Sequence, residues 1–318
     1  MHNMSASARI DASVWQGATH RTDEHRSLES KFEHSVSLLA WAYNEEALIV
    51  SFLDRATALL EETVVDWEIV LVNDGSTDRT GELLNAYAQR EPRLRVINND
   101  VNRNVGYSCK RAIRSASKEF LLWQTVDWAY DITHLRTFLE LTRHFDVVQG
   151  IRPTPIRLIS YIPLVRSIYR VRTRSDNFRK AVVSLANYYL LRILFGAAFH
   201  DFQNITIYPT KLLQSCELTG NSSFVNPECL IRTYSKGARF IEVPIPFISR
   251  SAGSAKGTRL AAILRSVTDI LSNWIRWGIA LRLANRKTPP APIRRVAEPF
   301  QLSEDVVALV VPLLRYFR

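Results

Sequence analysis

The chain has 318 residues, 47% of them hydrophobic, which is enough for one large α/β domain with an appendage or for two modest domains. Its 41 Lys and Arg against 31 Asp and Glu give a net charge of +10 at pH 7. Three scattered cysteines, Cys109, Cys216 and Cys229, exclude a disulfide framework and a zinc spacing, and they point to a reducing compartment.

The charge is unevenly spread. Residues 1–100 hold 9 basic and 17 acidic side chains, a balance of −8, whereas residues 151–200 hold 9 and 1, a balance of +8. A basic second half suits an anionic partner such as a phosphate or an acidic membrane surface. Nucleic acid is not expected, because no binding module accompanies the charge. Residues 1–33 are polar and read as a loose tail without the apolar core of a signal peptide. No stretch reaches the roughly 18 uncharged apolar residues of a spanning helix; the nearest, Ala181 to Phe199, carries Asn187 and Arg192.

In chain order, Val36 to Trp41 reads as the first strand. Asn44 follows as a helix N-cap, with Glu45 and Glu46 in the first turn of a helix running through Leu60. Trp67 to Val72 is the second strand, with a helix from about Asp78 to Gln89. Leu94 to Ile97 is the third. Asn104-Val105-Gly106 then opens a helix bearing Lys110, Arg111 and Arg114. Glu119 to Trp123 is the fourth strand, Asp131 to His144 a helix, and Asp146 to Gln149 the fifth strand. Residues 156–200 look largely helical and rich in Arg. Short strands at Asn204–Tyr208 and Arg239–Val243 complete the sheet.

From Leu260 to Ile275 apolar residues recur at helical spacing with Arg between them, an amphipathic helix suited to packing or to a membrane surface. Residues 286–300 read as a linker. Strands alternating with helices imply a mostly parallel, doubly wound α/β sheet. The expected division is a tail (1–33), a catalytic domain (34–258) with an Arg-rich helical insertion, and a C-terminal helical extension (259–318).

In open α/β sheets ligands bind beyond the carboxyl ends of the strands. Four such ends carry chemistry here: Tyr43-Asn44-Glu45-Glu46, Asp74 with Asp78, Asp127, and Gly150 with Arg152. Each motif is short and reads alone as an ordinary turn. In order, Ala42-Tyr43-Asn44-Glu45-Glu46, Val72-Asn73-Asp74-Gly75-Ser76-Thr77-Asp78, Asn104-Val105-Gly106 and Val147-Val148-Gln149-Gly150-Ile151-Arg152 resemble the family 2 glycosyltransferases of the GT-A fold. Asp201-Phe202-Gln203-Asn204, Glu228, Glu242-Val243-Pro244-Ile245 and the basic loop Arg250 to Lys256 extend the resemblance, which is strongest to polyprenyl-phosphate sugar transferases such as dolichyl-phosphate mannose synthase.

The resemblance implies an enzyme that binds a UDP- or GDP-sugar through Tyr43, Asn44, Glu45, Asp74, Gly75, Ser76, Asn104, Gly106 and Lys110. It implies Mg²⁺ or Mn²⁺ at Asp127 against the diphosphate. Thr125 stands where the family usually has the first acid of Asp-x-Asp, and Ala129 where the lipid-phosphate branch often has Gln. The expected acceptor is a polyprenyl phosphate, attacking with inversion. A phosphate monoester is already ionised at neutral pH and needs cations rather than a base. Arg152, Arg166, Arg170, Arg250 and Lys256 are the candidates to hold it.

Such an enzyme would sit on the cytoplasmic face of a membrane, through residues 156–200, Trp274 and Trp277, alone or with a membrane partner protein. Two alternatives stay open. One is transfer to a glycan or glycolipid hydroxyl with Asp201 as general base. The other is a non-catalytic nucleotide-sugar binder.

Overall fold

A computed structural model describes residues 31–152, 178–245, 260–296 and 302–313. The strands are β1 (Val36–Ala42), β2 (Trp67–Asn73), β3 (Leu94–Asn98), β4 (Phe120–Trp123), β5 (Val147–Ile151), β6 (Thr206–Pro209), β7 (Phe240–Pro244) and β8 (Arg294–Arg295). They form one sheet in the order β3-β2-β1-β4-β6-β5-β7-β8. Every neighbouring pair is parallel except those made by β6, which runs antiparallel to β4 and β5. The reversal has a functional consequence. The start of β6, not its end, lies beside the carboxyl ends of the parallel strands.

The helices are α1 (Ile49–Thr63), α2 (Thr80–Arg90), α3 (Val105–Ser115), α4 (Leu135–Glu140), α5 (Phe178–Phe195), α6 (Thr210–Gln214), α7 (Val225–Ser235), α8 (Leu260–Asn273), α9 (Ile279–Lys287) and α10 (Glu304–Val310). Side chains alternate across a strand, and here both faces are covered. Leu38, Ala40, Ile69, Leu71 and Leu122 pack with α1, α4 and α10, while Leu39, Val70, Val72, Leu121 and Trp123 pack with α3, α5, α7 and Ile270 of α8. Double coverage is why the central strands read as unbroken apolar runs. Each fully buried Leu, Ile or Phe contributes about 1.5–3 kcal/mol. The three cysteines are free and buried, and burial pushes the Cys109 thiol above its usual value.

Several expectations shift. Asn44 is not a helix cap, since α1 begins at Ile49 after Leu48. Asn44 instead takes φ +52°, in the left-handed region that Asn tolerates. The helix expected over 131–144 shortens to α4 and a 3₁₀ turn, Leu141–Arg143. Within the expected linker, Arg294–Arg295 adds an edge strand to β7. The long C-terminal helix is interrupted by a π-helical turn, Trp274–Gly278. Val306, Val310 and Leu313 enter the same core as β1 and β2. No helix among the described residues is long and apolar enough to cross a membrane. Arg166, Arg170, Arg250, Lys256 and nearly all of the 1–33 tail lie outside the described residues.

Candidate active site

The loops after β1 and β2 are stitched together. The Asp74 N–H donates to the Ala42 carbonyl at 2.8 Å, prolonging the strand pairing past its end. The Asn44 N–H donates to Ser76 Oγ at 3.0 Å, and Asn44 Oδ1 accepts the Thr77 N–H at 2.8 Å. The Glu45 N–H donates to Thr80 Oγ1 at 2.9 Å, and the Glu46 N–H to Asp78 Oδ2 at 3.2 Å. Burial opposes charge on Asp78, but the Thr80 hydroxyl and these N–H donors hold its carboxyl below its usual range. Asn44 and Ser76, expected at the ligand, therefore also build the loop that would meet it.

Asp74 is 4% exposed. Its Oδ1 accepts the Asn99 amide at 2.7 Å and the Arg103 N–H at 2.9 Å, so the loop after β3 closes over it. Gly75 makes that closure possible. Its φ is +69°, and a Cβ there would stand 2.4 Å from the Val101 carbonyl carbon.

The start of α3 meets a loop that the sequence did not single out. A Cβ on Gly106 would sit 2.4 Å from the Asn221 carbonyl carbon, so backbone meets backbone. Lys110 Nζ donates to Asn221 Oδ1 at 2.8 Å. Burial lowers the Lys110 ammonium, with Glu228 acting in the opposite sense. Helix α8 lies on the same loop: Asp269 Oδ2 accepts the N–H groups of Asn221 and Ser222 at 2.8 and 2.9 Å, and Arg265 reaches Asn104 Oδ1 at 2.7 Å.

Glu228 anchors this loop from below. Fully buried, it accepts the Thr219 N–H and hydroxyl, the Gly220 N–H at 2.7 Å and Arg232 Nε at 3.1 Å. Glu228→Ala strands these donors and is expected to cost about 3–5 kcal/mol. Urea unfolding measures it; a loss under 1 kcal/mol would show that water replaces the carboxylate.

Side chains of the turn after β4 help to close it. Gln124 Nε2 donates to the Tyr130 carbonyl at 2.9 Å, and Thr125 Oγ1 accepts the Ala129 N–H at 3.0 Å. Thr125, where the resembled family carries an acid, is thus a turn cap. Asp127 is half-buried in this turn.

Tyr130, missed by the sequence reading, sits between the chemistry-bearing groups. Its hydroxyl donates to the Gln203 carbonyl at 2.6 Å. Burial pushes its pKa up to about 12, Arg152 opposes this, and the charges of Asp201 and Asp127 add to it. One phenol thus feels all three residues expected to be catalytic.

Arg152 and Asp201 form a two-pronged ion pair. Arg152 Nε meets Oδ2 and Nη2 meets Oδ1, both at 2.8 Å, with side chains 15% and 1% exposed. The Gln203 N–H also donates to Oδ1 at 3.1 Å. Burial disfavours the Arg152 charge, but Asp201 outweighs it and raises the pKa. Sequence separation of 49 residues hid the pair; the antiparallel entry of β6 brings Asp201 to the end of β5.

Tyr43, Asp74, Asn104, Asp127, Arg152 and Asp201 therefore share one end of the sheet. Residues 37–196 match the family profile described as Glycosyl transferase family 2. The chain belongs to the family 2 glycosyltransferases. It is similar to a dolichyl-phosphate hexose transferase of Haloferax volcanii, 30% identical over 223 residues that cover 70% of this chain and 86% of the relative. It is also similar to glycosyltransferase AglD of the same organism, 25% identical over 261 residues, 80% of this chain and 39% of AglD. The chain thus spans well under half the length of some curated relatives that it matches.

The sheet matches glucosyl-3-phosphoglycerate synthase from Mycobacterium tuberculosis, solved with Mn²⁺, UDP-glucose and phosphoglyceric acid. The TM-score is 0.51 at 16% identity, covering 76% of this chain and 80% of that one. The likeness is one of fold, the GT-A arrangement expected from the sequence.

No group of three or more His, Cys, Asp or Glu that could hold a metal occurs among the described residues. With Thr125 serving as a cap, the turn offers the single carboxylate of Asp127. That donor set fits an ion that takes its remaining ligands from a diphosphate and water, as Mg²⁺ commonly does.

Proposed function

We propose that this transferase moves a sugar from a UDP- or GDP-sugar to a polyprenyl phosphate, with inversion, at the cytoplasmic face of a membrane. The observation that carries the reading is the Arg152–Asp201 pair. Asp201 is 1% exposed and both its oxygens are engaged. The acceptor end of the site therefore presents a held cation rather than an available base. The similarity to a dolichyl-phosphate hexose transferase supports the same acceptor class.

Asp74, at the end of β2 and fixed by Asn99 and Arg103, would receive the ribose or base. Asp127 would hold a Mg²⁺ or Mn²⁺, which neutralises charge building on the leaving diphosphate. Asp201 takes Nε and Nη2 of Arg152, leaving the Nη1 edge for the acceptor phosphate. One phosphate oxygen attacks the anomeric carbon from the side opposite the diphosphate. A carbon–oxygen bond forms, the bond to the nucleoside diphosphate breaks, and no proton moves. Tyr130 stays protonated and pins the Gln203 loop.

The outer face of α8 and α9 supports membrane contact. Leu264, Leu271, Ile275, Ile279 and Leu283 are 42–73% exposed. Arg276, Arg286 and Lys287 are exposed beside them, a combination suited to an anionic bilayer surface. Trp274 and Trp277, expected there from the sequence, turn inward instead. Trp274 meets Phe195 edge-on and Trp277 meets it at a tilt, and Arg232 covers Trp277 at 4.1 Å.

Thermal shift against UDP- and GDP-sugars, with and without Mg²⁺ or Mn²⁺, tests the donor. The cognate nucleotide at a hundred times its Kd adds about 2.7 kcal/mol of stability. Incubation with that donor and a short polyprenyl phosphate tests the acceptor. Product formed only on free-hydroxyl acceptors would return Asp201 to the role of base and sink this reading.

A further inference from the structure

The segment 198–201 is gripped by one row of side chains running across three strands. Gln149 of β5 pairs in register with Glu242 of β7, and Glu242 with Arg295 of β8. Each reaches a different part of the segment. Arg295 Nη2 donates to the Ala198 carbonyl at 3.1 Å. Glu242, fully buried, accepts the His200 N–H at 2.6 Å and faces His200 Nδ1 at 2.5 Å. The Gln149 amide donates to the Asp201 carbonyl. Arg295 Nε also lies 3.0 Å from Glu242 Oε2, so the row is tied to itself.

We propose that Gln149, Glu242 and Arg295 form a positioning rung that sets Asp201, and through it Arg152, against the acceptor. The short C-terminal strand β8 is then a working part of the site rather than a linker. The inference rests on the acceptor reading above for its kinetic test only.

The physical reason is the geometry of the fork. A planar guanidinium makes two parallel bonds to a carboxylate only when both groups are fixed in angle and distance. Arg152 is held by its own strand, through the Ile151 carbonyl that accepts the Ile245 N–H at 2.8 Å. Asp201 follows a loop and has no strand of its own. Its backbone is fixed on one side by Gln149 and, one residue earlier, by Glu242. Without Arg295, Glu242 keeps its burial but loses a cationic partner, and the row loses its hold on Ala198.

The experiment compares Arg295→Gln and Arg295→Lys with the unmodified protein. The first readout is proton exchange at Arg152 Nε, followed by NMR and assigned through its loss in Arg152→Lys. The second is KM for donor and acceptor separately. Arg295→Gln is expected to speed Nε exchange and raise the KM of a short polyprenyl phosphate, each roughly tenfold, with donor KM within about twofold, since small misplacement is costly. Arg295→Lys restores part of both.

If Arg295→Gln does not fold, the double variant Glu242→Gln/Arg295→Gln removes both charges, leaves no buried carboxylate unpaired, and is read the same way. Unchanged exchange at Arg152, or donor and acceptor KM rising together, overturns the inference. An unmodified protein that shows no turnover of the lipid phosphate defeats the acceptor reading alone, and the exchange rate still decides this one.

Discussion

Arg152→Ala is expected to abolish transfer and to cost the fold about 3–5 kcal/mol, because it leaves the Asp201 carboxylate at 1% exposure without its cation. Denaturant unfolding measures the second effect and sugar transfer the first. Two companion variants separate them. Arg152→Lys keeps the charge but not the fork, so stability falls less while transfer stays at least about a hundredfold down. Arg152→Met combined with Asp201→Leu replaces the buried pair with apolar groups, which often restores or exceeds the original stability. Transfer is expected to stay absent in that double variant. If it returns, the guanidinium does not bind the acceptor, and the pair is structural.

Asp127→Asn is expected to slow transfer about 10²–10³-fold while leaving the fold intact, as removal of one charge-stabilising group at a developing anion commonly does. The residue is half-buried in a turn closed by other side chains, Gln124 and Thr125. Asn keeps the size of Asp and one acceptor oxygen, so the turn that Gln124 and Thr125 close is retained. In the unmodified protein a chelator such as EDTA should remove most of the transfer, and added Mn²⁺ should restore it. In the variant, residual transfer should be indifferent to both. Full metal response in Asp127→Asn would show that another group holds the ion and would withdraw this residue from the leaving-group site.

Replacing Thr125 by Asp tests the same turn from the other side. It supplies the carboxylate that the resembled family carries, and a carboxylate oxygen there can still accept the Ala129 N–H. Apparent metal affinity should rise while the melting temperature stays nearly unchanged, since Asp caps about as well as Thr. A metal titration of transfer, beside a melting curve, reads both.

The fold was legible where periodicity and burial coincide. Trp67–Asn73 reads as a buried strand because every position is covered on both faces, and the turn Asn73 to Asp78 reads as a site because acids and glycine follow that strand at once. Asp74, Asp127 and Arg152 stand at or just beyond such strand ends, and the ordered motifs of the resembled family singled them out. The π turn at Trp274–Gly278 was not, because its residues still fit a helical spacing. Nor was β8, because two arginines after a proline-rich stretch carry no strand signal. Tyr130 was missed for a different reason. Its value lies in standing among Asp127, Arg152 and Asp201, which come from three distant segments.

Local chemistry along the chain determined which residues can bear charge, which segments form the central strands, and that acids and arginines follow strand ends. These are properties of neighbours within a few positions, and backbone sterics and side-chain spacing set them. Only the tertiary structure decided how those groups divide their work. The reversed direction of β6 delivers Asp201 to Arg152 across 49 residues. The edge pairing of β7 with β8 brings Arg295 to Glu242 across 53. Such pairings arise from strand order and direction, which depend on how the whole sheet closes over its two cores.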